Sequence, residues 1–257
     1  MSIIRELPRT SVTMATRIPN QVGPIVGGSP ARHPSHDTKL SGRYVTLVRL
    51  SATHAEAFYP HVSGEENAHL WDYMFDGPFY DLADFRAYVE AKAVSQDPVF
   101  YTIIPKDGDD TAMAMTTRSS SNGILDHISL MRIDPSHRCI EIGHIMFSPE
   151  LQRTRAATEA IYLLARHTFE DLGYRRCEWK CNSLNAPSRR AALRLGFTFE
   201  GIFRKHMIVK GRNRDTAWYA IIDDEWPGVK KALEAWLDPA NFDEQGVQKT
   251  KLERFRR

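Results

Sequence analysis

The stretch "SPELQRTRAATEA", residues 148–160, is a proline-containing turn that leads into a helix rich in alanine. Two cations, Arg153 and Arg155, stand at the start of that helix. The aligned peptide dipoles already make a helix N-terminus positive, so cations are unfavourable there unless an anion binds. The pattern therefore predicts an anion site. For either arginine taken alone, a solvated surface charge is an equally good interpretation.

Apolar residues recur at helical spacing after this start. The stripe that they form consists of Ala157, Ala160, Ile161, Leu164, Ala165, Thr168, Phe169 and Leu172. A period of about 3.6 residues predicts an amphipathic helix of about five turns. Gly173 is its predicted end, because glycine readily adopts the left-handed conformation common just after a helix.

Strand-like segments lie on both sides of this helix. Those before it are residues 43–50, 99–105, 111–118, 128–134 and 139–147. Turn formers separate the last four, which predicts an antiparallel meander. After the helix come a strand at 174–182, a helix at 185–195 begun by Asn185 and ended by Gly196, and strands at 197–209 and 215–223.

A helix that joins two strands of one sheet makes those strands parallel, which applies to 139–147 and 174–182. A ligand crevice is expected where such strands diverge, and the quoted helix start lies beside it. The predicted fold class is therefore α/β (α+β): a mixed, largely antiparallel twisted sheet of about seven strands, flanked by helices. Residues 51–64, 67–75 and 81–94 have helical spacing, and the last two are predicted surface helices, with Asp81 or Asp84 as a cap.

Composition shifts divide the chain into three parts. Residues 1–40 are rich in proline and glycine and are predicted to be an extended arm. Residues 41–226 are the predicted main domain, and residues 227–257 are an amphipathic helix with a basic tail. If the arm folds over the crevice, it narrows the crevice and favours a small molecule as the ligand.

Bulk composition excludes several classes of protein. A hydrophobic fraction of 42% and a net charge of +2 are typical of a globular chain without a duplex-binding surface. No apolar run approaches the roughly 18 residues of a membrane span, and no secretory leader is evident. Three cysteines in apolar segments predict reduced thiols, no metal site and a cytoplasmic location.

Three motifs in residues 42–226 resemble the GCN5-related N-acetyltransferases, and more closely their branch of ribosomal-protein alanine N-acetyltransferases. Gln152, Arg155 and Ala157 occupy the family's phosphate motif, Gln/Arg-x-x-Gly-x-Gly/Ala. Asn185 and Ser188, followed by "LGF" at 195–197, match a second signature, and residues 201–226 resemble the branch's final hairpin. Arg155 departs from the motif, because glycine is usual at that position.

The resemblance implies a sheet splayed between the family's fourth and fifth strands and acetyl-coenzyme A (acetyl-CoA) as acyl donor, with no metal. A primary amine would attack the thioester directly, and the acceptor would be a small molecule or a protein N-terminus. The residues expected to hold the donor are Ile145, Met146, Phe147, Ser148, Gln152, Arg153, Thr154, Arg155, Ala156, Ala157, Thr158, Asn182, Asn185, Ser188 and Arg189. The N–H of Met146 or Phe147 is expected near the acetyl oxygen.

A proton donor for the thiolate is implied at two positions. Many family members use a tyrosine that corresponds here to Ala192. The ribosomal branch is proposed to use the serine that corresponds to Ser188. A hydroxyl that only caps the following short helix is the alternative for Ser188.

Three residues are candidates for the general base. Glu141 and His144 lie on one strand, where alternation puts them on opposite faces unless the strand is bulged. For Glu141, a salt bridge to Arg132 or Arg138 is as good an interpretation as catalysis. His206 lies near the position of a proposed base in the ribosomal branch, and a water chain to solvent is a further alternative.

The acceptor wall is expected in residues 67–80, whose aromatic side chains resemble that wall in the branch. The candidates are Trp71, Tyr73, Phe75, Phe79 and Tyr80, with core packing as the alternative for most of them. Asp72, Asp76 and Asp81 could attract a cationic amine or could be solvated.

Two further alternatives concern activity. Arg155 and Ala192 leave open a catalytically silent acyl-CoA-binding module that senses the cofactor or supports a partner. The small residues Gly143, Ala156 and Ala192 leave open a longer acyl donor. A homodimer is plausible, because final hairpins of this kind are exposed.

Overall fold

The computed structural model describes residues 22–106 and 126–256. Residues 1–21 of the predicted arm and the predicted strand at 111–118 lie outside the described residues. None of the helices within the described ranges is long and apolar enough to cross a membrane.

One mixed sheet organises the described chain, and the predicted fold class is confirmed. Its strands are β1 (Leu40–Ser41), β2 (Val45–Arg49), β3 (Val99–Pro105), β4 (Asp126–Asp134), β5 (Cys139–Met146), β6 (Arg176–Asn182), β7 (Thr198–Val209) and β8 (Arg212–Ile222). The spatial order is β1-β2-β3-β4-β5-β6-β8-β7. Every neighbouring pair is antiparallel except β5 and β6, as the intervening helix requires.

Five α-helices flank the sheet in the described ranges. They are α1 (Ala55–Val62), α2 (Leu82–Ala93), α3 (Arg155–Arg166), α4 (Ala186–Leu195) and α5 (Trp226–Leu237). A π-helical turn, His167–Asp171, lengthens α3. Asp81 and Asn185 accept backbone N–H groups at the starts of α2 and α4, and Gly196 ends α4 with a φ of 105°. These caps agree with the local sequence signals.

The predicted surface helix at 67–75 is wrong. Only a 3₁₀ turn, Ala68–Trp71, forms there, and the Trp71 side chain is fully buried. Its indole packs edge-on against Phe79 and Tyr88 and donates a 2.6 Å hydrogen bond to the carbonyl of Val62. This packing belongs to a second hydrophobic core between α1, α2 and the sheet. A non-local contact therefore overrides the helical spacing.

Helix α3 lies in the main core, and every residue from Ala156 to Ala165 is buried. The same core contains Trp226 and Trp236 of α5, together with Leu252 of the C-terminal tail. Residues 227–256, predicted as a separate part of the chain, thus share the core of the sheet domain.

Glu159 of α3 joins that helix to the sheet. Its buried carboxylate accepts hydrogen bonds from the backbone N–H groups of Arg43, Tyr44 and Val45 at 2.7, 2.6 and 2.8 Å. A Cβ at Gly42 would lie 2.3 Å from the carboxyl carbon, so only glycine leaves room for this approach. Three charge-assisted bonds therefore hold the start of β2 against α3.

The described part of the arm lies near the first residues of β5, away from the end of that strand at Met146. The N–H of Ala31 donates to the carbonyl of Pro135 at 3.0 Å, and that of Arg32 to the carbonyl of Leu172 at 2.8 Å. No residue from 22 to 40 lines either of the cavities described below.

Replacing Glu159 by alanine leaves three backbone donors without their carboxylate. We expect Glu159→Ala to lower the free energy of unfolding by about 3 kcal/mol or more, because buried donors that lose a charged partner keep their full desolvation cost. Urea denaturation followed by circular dichroism measures this change. Glu90→Ala, at an exposed position of α2, is the control and should change stability little. Equal stability of the two variants would contradict the anchoring role.

Candidate active site

Strands β5 and β6 part partway along their length. They pair as parallel neighbours through Cys139 with Arg176, Ile140 with Cys177 and Glu141 with Glu178. Beyond those pairs, β5 continues to Met146 and β6 to Asn182 without further pairing between them. The splay predicted from the family resemblance therefore begins directly after Glu141.

A bulge in β5 accompanies this parting. Ser129 of β4 pairs with Gly143, and His127 pairs with Met146, so β5 has one more residue than β4 between the two pairs. His144 lies in this interval with a φ of 45°. Bulges redirect side chains. Consequently Glu141 and His144 both line one cavity, although simple alternation puts them on opposite faces.

That cavity, which we name the inner cavity, occupies about 140 Å³ between the parted strands and the β7–β8 hairpin. All four candidate catalytic residues line it: Glu141, His144, Ser188 and His206. Ile145, Asn182 and Asn185, expected to hold the donor, also line it. The structure thus brings together residues from β5, β6, α4 and β7 that are far apart in the sequence.

Glu141 is engaged in buried ion pairs. Its Oε2 lies 3.0 Å from Lys180 Nζ and 3.0 Å from Arg132 Nε. Burial raises the pKa of Glu141, and the attraction of Lys180 opposes that rise. The sequence left Arg132 and Arg138 open as partners of Glu141, and the structure shows that the partner is Arg132. Arg138 instead donates to the carbonyl of Gly27.

His144 is packed among aromatic rings and is held neutral. Its ring centroid lies 5.5 Å from that of Phe75 and 5.4 Å from that of Phe100. Burial, followed by repulsion from Lys92, lowers the pKa of His144 to about 4. Its Nδ1 has no hydrogen-bond partner among the described residues.

His206 and Ser188 have polar neighbours. Nδ1 of His206 lies 2.9 Å from Thr216 Oγ1. Partial burial, followed by repulsion from nearby cations, lowers the pKa of His206. The Ser188 hydroxyl accepts a 3.0 Å hydrogen bond from Trp179 Nε1, while the Ser188 N–H donates to the Asn185 side chain. Ser188 thus takes part in the helix cap and also faces the cavity.

The start of α3 lies just after β5. Thr154 caps the helix by accepting the N–H of Ala157 at 3.0 Å, and Arg153 before it has a φ of 66°. Gln152 donates from Nε2 to the carbonyl of Phe147 at 2.8 Å. The guanidinium of Arg155 lies 4.7 Å from the ring centroid of Phe242 and 5.1 Å from that of Tyr44.

The remaining residues expected at the donor have other contacts as well. Ser148 is fully buried and donates its N–H to Asp126, so this N–H is already engaged. Thr158 bonds to the Thr154 carbonyl and accepts from Arg194. Arg189 contacts Tyr219 Oη at 3.1 Å. Ala156 and Ala157 are buried in the main core, and Met146 is buried in the second core.

The small residues considered for a longer acyl group are closely packed. A Cβ at Gly143 would lie 2.4 Å from Met131 Sδ. Ala156 and Ala192 are buried in the main core. Their small size serves packing, so the longer-acyl alternative gains no support from them.

The five aromatic residues expected at the acceptor occupy three kinds of position. Tyr73 and Phe75 line the inner cavity. Trp71 and Phe79 pack in the second core, and Tyr80 is exposed. Trp71, Tyr73 and Tyr80 also line an outer cavity of about 540 Å³, which we define as the space between residues 68–80 and the tip of the β7–β8 hairpin.

The three acidic residues considered for a cationic amine are separated in the structure. Asp76 forms a 3.0 Å ion pair with Lys92, and Asp81 caps α2. Asp72 lines the outer cavity.

Two cations of the inner cavity were missed in the sequence: Lys180 and Arg214. Strand alternation was the available signal, because Arg214 and Thr216 share one face of β8 and Lys180 and Asn182 share one face of β6. No cluster of His, Cys, Asp or Glu fit for a metal occurs in the described ranges. Cys139, Cys177 and Cys181 are free thiols, as predicted.

Comparison with known proteins identifies the family. Residues 45–198 match the sequence model of the acetyltransferase (GNAT) domain, so the chain belongs to the GNAT acetyltransferase family. It is 42% identical to a GCN5-related N-acetyltransferase from Brucella melitensis, over 89% of this chain and 98% of that one, with a TM-score of 0.81. It is 35% identical to a GNAT-family structure from Chromobacterium violaceum, over 83% and 100% of the chains, with a TM-score of 0.69.

Two curated relatives come from Bacillus subtilis. The chain is 32% identical to "Uncharacterized N-acetyltransferase YnaD" and 32% identical to "Putative ribosomal N-acetyltransferase YdaF". Each alignment covers 40% of this chain. The chain spans only part of these relatives, 59% of the length of YnaD and 56% of that of YdaF. The predicted resemblance to the GNAT family is confirmed, and one of the two curated relatives is named as a putative ribosomal N-acetyltransferase.

The neutral state of His144 can be tested by titration. We expect its imidazole to titrate with a pKa of about 4 in NMR spectra, assigned with the His144→Gln variant. Between pH 6.5 and 4 the unfolded chain then binds a proton that the folded state does not, so stability falls as the pH falls through this window. This loss should be smaller in His144→Gln. Titration near pH 6.5 in the folded protein would contradict the prediction.

Proposed function

We propose that this chain transfers an acetyl group from acetyl-CoA to a primary amine by direct attack on the thioester. The observation that carries the proposal is the parting of β5 and β6 after Glu141 and Glu178, with candidate proton-transfer residues around the resulting cavity. Membership of the GNAT family supports acetyl-CoA as the donor. The acceptor is a small molecule or a protein N-terminus.

The unpaired edge of β5 supports donor binding. Backbone N–H and C=O groups need partners, and an extended pantetheine chain carries amides that can pair with a free strand edge. We assign this contact to Ile145, Met146 and Phe147, with an N–H of Met146 or Phe147 directed to the thioester oxygen. The bond from Gln152 to the Phe147 carbonyl supports a fixed orientation for that segment.

The start of α3 supports diphosphate binding. Helix N-termini present N–H groups to anions, and Thr154 already satisfies the N–H of Ala157. Arg153 is exposed at this end and supplies positive charge. The contacts of Arg155 with Tyr44 and Phe242 support a packing role for the residue that replaces the motif glycine.

His206 is the best-supported proton acceptor of the three candidates. Glu141 is occupied by Lys180 and Arg132, and the pKa of His144, about 4, makes it a weak base at neutral pH. Partial burial lowers the pKa of His206 below its ordinary value, so its imidazole is neutral at pH 7 and its ring can accept a proton. We assign Ser188 as the hydroxyl that returns a proton to the leaving thiolate.

Donor binding and turnover are tested separately. We expect calorimetry to detect acetyl-CoA binding, and thiol release to depend on an added primary amine in a panel of small amines and peptides with free N-termini. Binding without turnover on any amine would support the silent acyl-CoA-binding alternative. Absence of binding would overturn both interpretations.

The proton acceptor is tested by substitution. We expect His206→Gln to lower kcat about 100-fold or more while the Kd for acetyl-CoA stays within twofold, because general-base catalysis commonly contributes that much. His33→Gln, at an exposed position outside both cavities, is the control. If Glu141→Gln stays folded and loses activity while His206→Gln keeps it, the base is Glu141 instead.

A further inference from the structure

Arg214 of β8 is a buried cation that faces the site without an acidic partner. It is 7% exposed, and it lines both the inner and the outer cavity. Its Nε donates to Thr216 Oγ1 at 3.3 Å, and its guanidinium lies 4.9 Å from the ring centroid of Phe75. Within residues 22–106 and 126–256, no carboxylate forms an ion pair with it. An unpaired buried charge is costly, which makes this position a candidate for binding an anion.

The charges around the inner cavity also favour binding of an anion. Its lining contains three cations, Arg132, Lys180 and Arg214, and one carboxylate, Glu141. That carboxylate already contacts both Arg132 and Lys180 at 3.0 Å. Burial lowers the pKa of Arg214; Cys181 and Glu141 oppose that fall, and the repulsion of Arg132 adds to it. The described cavity wall therefore has a positive excess centred on Arg214, which suits an oxyanion.

The outer cavity continues this basic surface. Lys210 and Arg212 line it together with Asp72. Lys210 Nζ donates to the carbonyl of Trp71 at 2.8 Å, which ties the hairpin tip to residues 68–80. The two cavities share Tyr73, Asn182 and Arg214. A molecule that passes from the outer to the inner cavity therefore meets Arg214.

Thr216 connects this cation to the proposed base. Its Oγ1 lies 3.3 Å from Arg214 Nε and 2.9 Å from His206 Nδ1. A threonine oxygen has two lone pairs and can accept from both donors. With its proton on Nδ1, the neutral His206 ring presents Nε2 as the proton acceptor. Arg214 Nε and His206 Nδ1 are thus separated by at most the lengths of these two contacts, 3.3 Å and 2.9 Å.

We propose that the acceptor is an amine that also carries an oxyanion, a carboxylate or a phosphate, a few bonds from its amino group, and that Arg214 binds this oxyanion. This inference rests on the proposed function, since it deepens the identity of the acceptor. The guanidinium forms paired hydrogen bonds with either oxyanion. Binding it there holds the amine on the side of His206. The loss of a proton from the bound ammonium to Nε2 then precedes attack on the thioester carbon.

Direct binding tests the subsite with two matched pairs of compounds. They are O-phosphoethanolamine with ethanolamine, and β-alanine with β-alaninamide, titrated by calorimetry into the full chain with and without saturating coenzyme A. At least one compound that carries the oxyanion should bind ten times or more tighter than its partner without it, and the two pairs distinguish phosphate from carboxylate. Equal binding within both pairs, or no binding of either compound that carries the oxyanion, would overturn the proposal.

Substitution assigns the effect to Arg214. Arg214→Gln should abolish the preference for the compound that carries the oxyanion, and Arg214→Lys should keep part of it. Arg204→Gln removes an exposed cation of β7 that lines neither cavity, and it should keep the preference in full. A preference that survives in a folded Arg214→Gln variant refutes the role of Arg214.

A measurement on the unaltered chain covers the case in which Arg214→Gln does not fold. The Nε–H signal of Arg214 in ¹H–¹⁵N spectra, assigned with Arg214→Lys, should shift on addition of the compound that carries the oxyanion and not of its partner without it. An unchanged signal would refute the proposal. Failure of acetyl-CoA to bind would instead refute the proposed function, and the titrations without coenzyme A separate the two outcomes.

Discussion

The early end of the pairing between β5 and β6 is the constraint on which the site depends. Each strand has hydrogen-bonded neighbours on its other side, so both remain ordered where they no longer pair with each other. The exposed edge of β5 retains backbone groups that need partners, and a ligand with amides can supply them. The bulge at His144 adds the second condition, because it lets side chains from both faces of β5 reach one cavity.

Burial determines what the charged residues around that cavity can do. Glu141 is held by Lys180 and Arg132, and loss of both partners would leave its buried charge unpaired. His144 is kept neutral by its aromatic surroundings. His206 is less buried, and that partial burial, with nearby cations, lowers its pKa. The three candidate bases thus differ in environment, and it is this difference that favours His206.

The substitution of the motif glycine by Arg155 is accommodated by residues outside the phosphate motif. The guanidinium stacks against Tyr44, at the start of β2, and Phe242, which follows α5. Cation–π contacts of this kind stabilise a positive charge that would otherwise be unfavourable at a helix start. Glu159, one turn further along α3, holds the same end of β2 through three backbone bonds. The C-terminal segment and the start of the sheet together therefore support the first turns of α3.

The sequence by itself determined most of the regular elements of the described chain, but not the fold of residues 67–75. Period, caps and turn residues are local signals, and they predicted α3 with Gly173 after it, α4 between Asn185 and Gly196, and the parallel placement of β5 and β6. The tertiary structure alone decided the burial of Trp71, the ion pairs of Glu141 and the exposure of Arg214 to two cavities. These features depend on which distant side chains meet, and the bulge in β5 that positions His144 depends on pairing with β4. The spacing of residues within one segment cannot predict these contacts, because the contacts form between residues that only folding brings together.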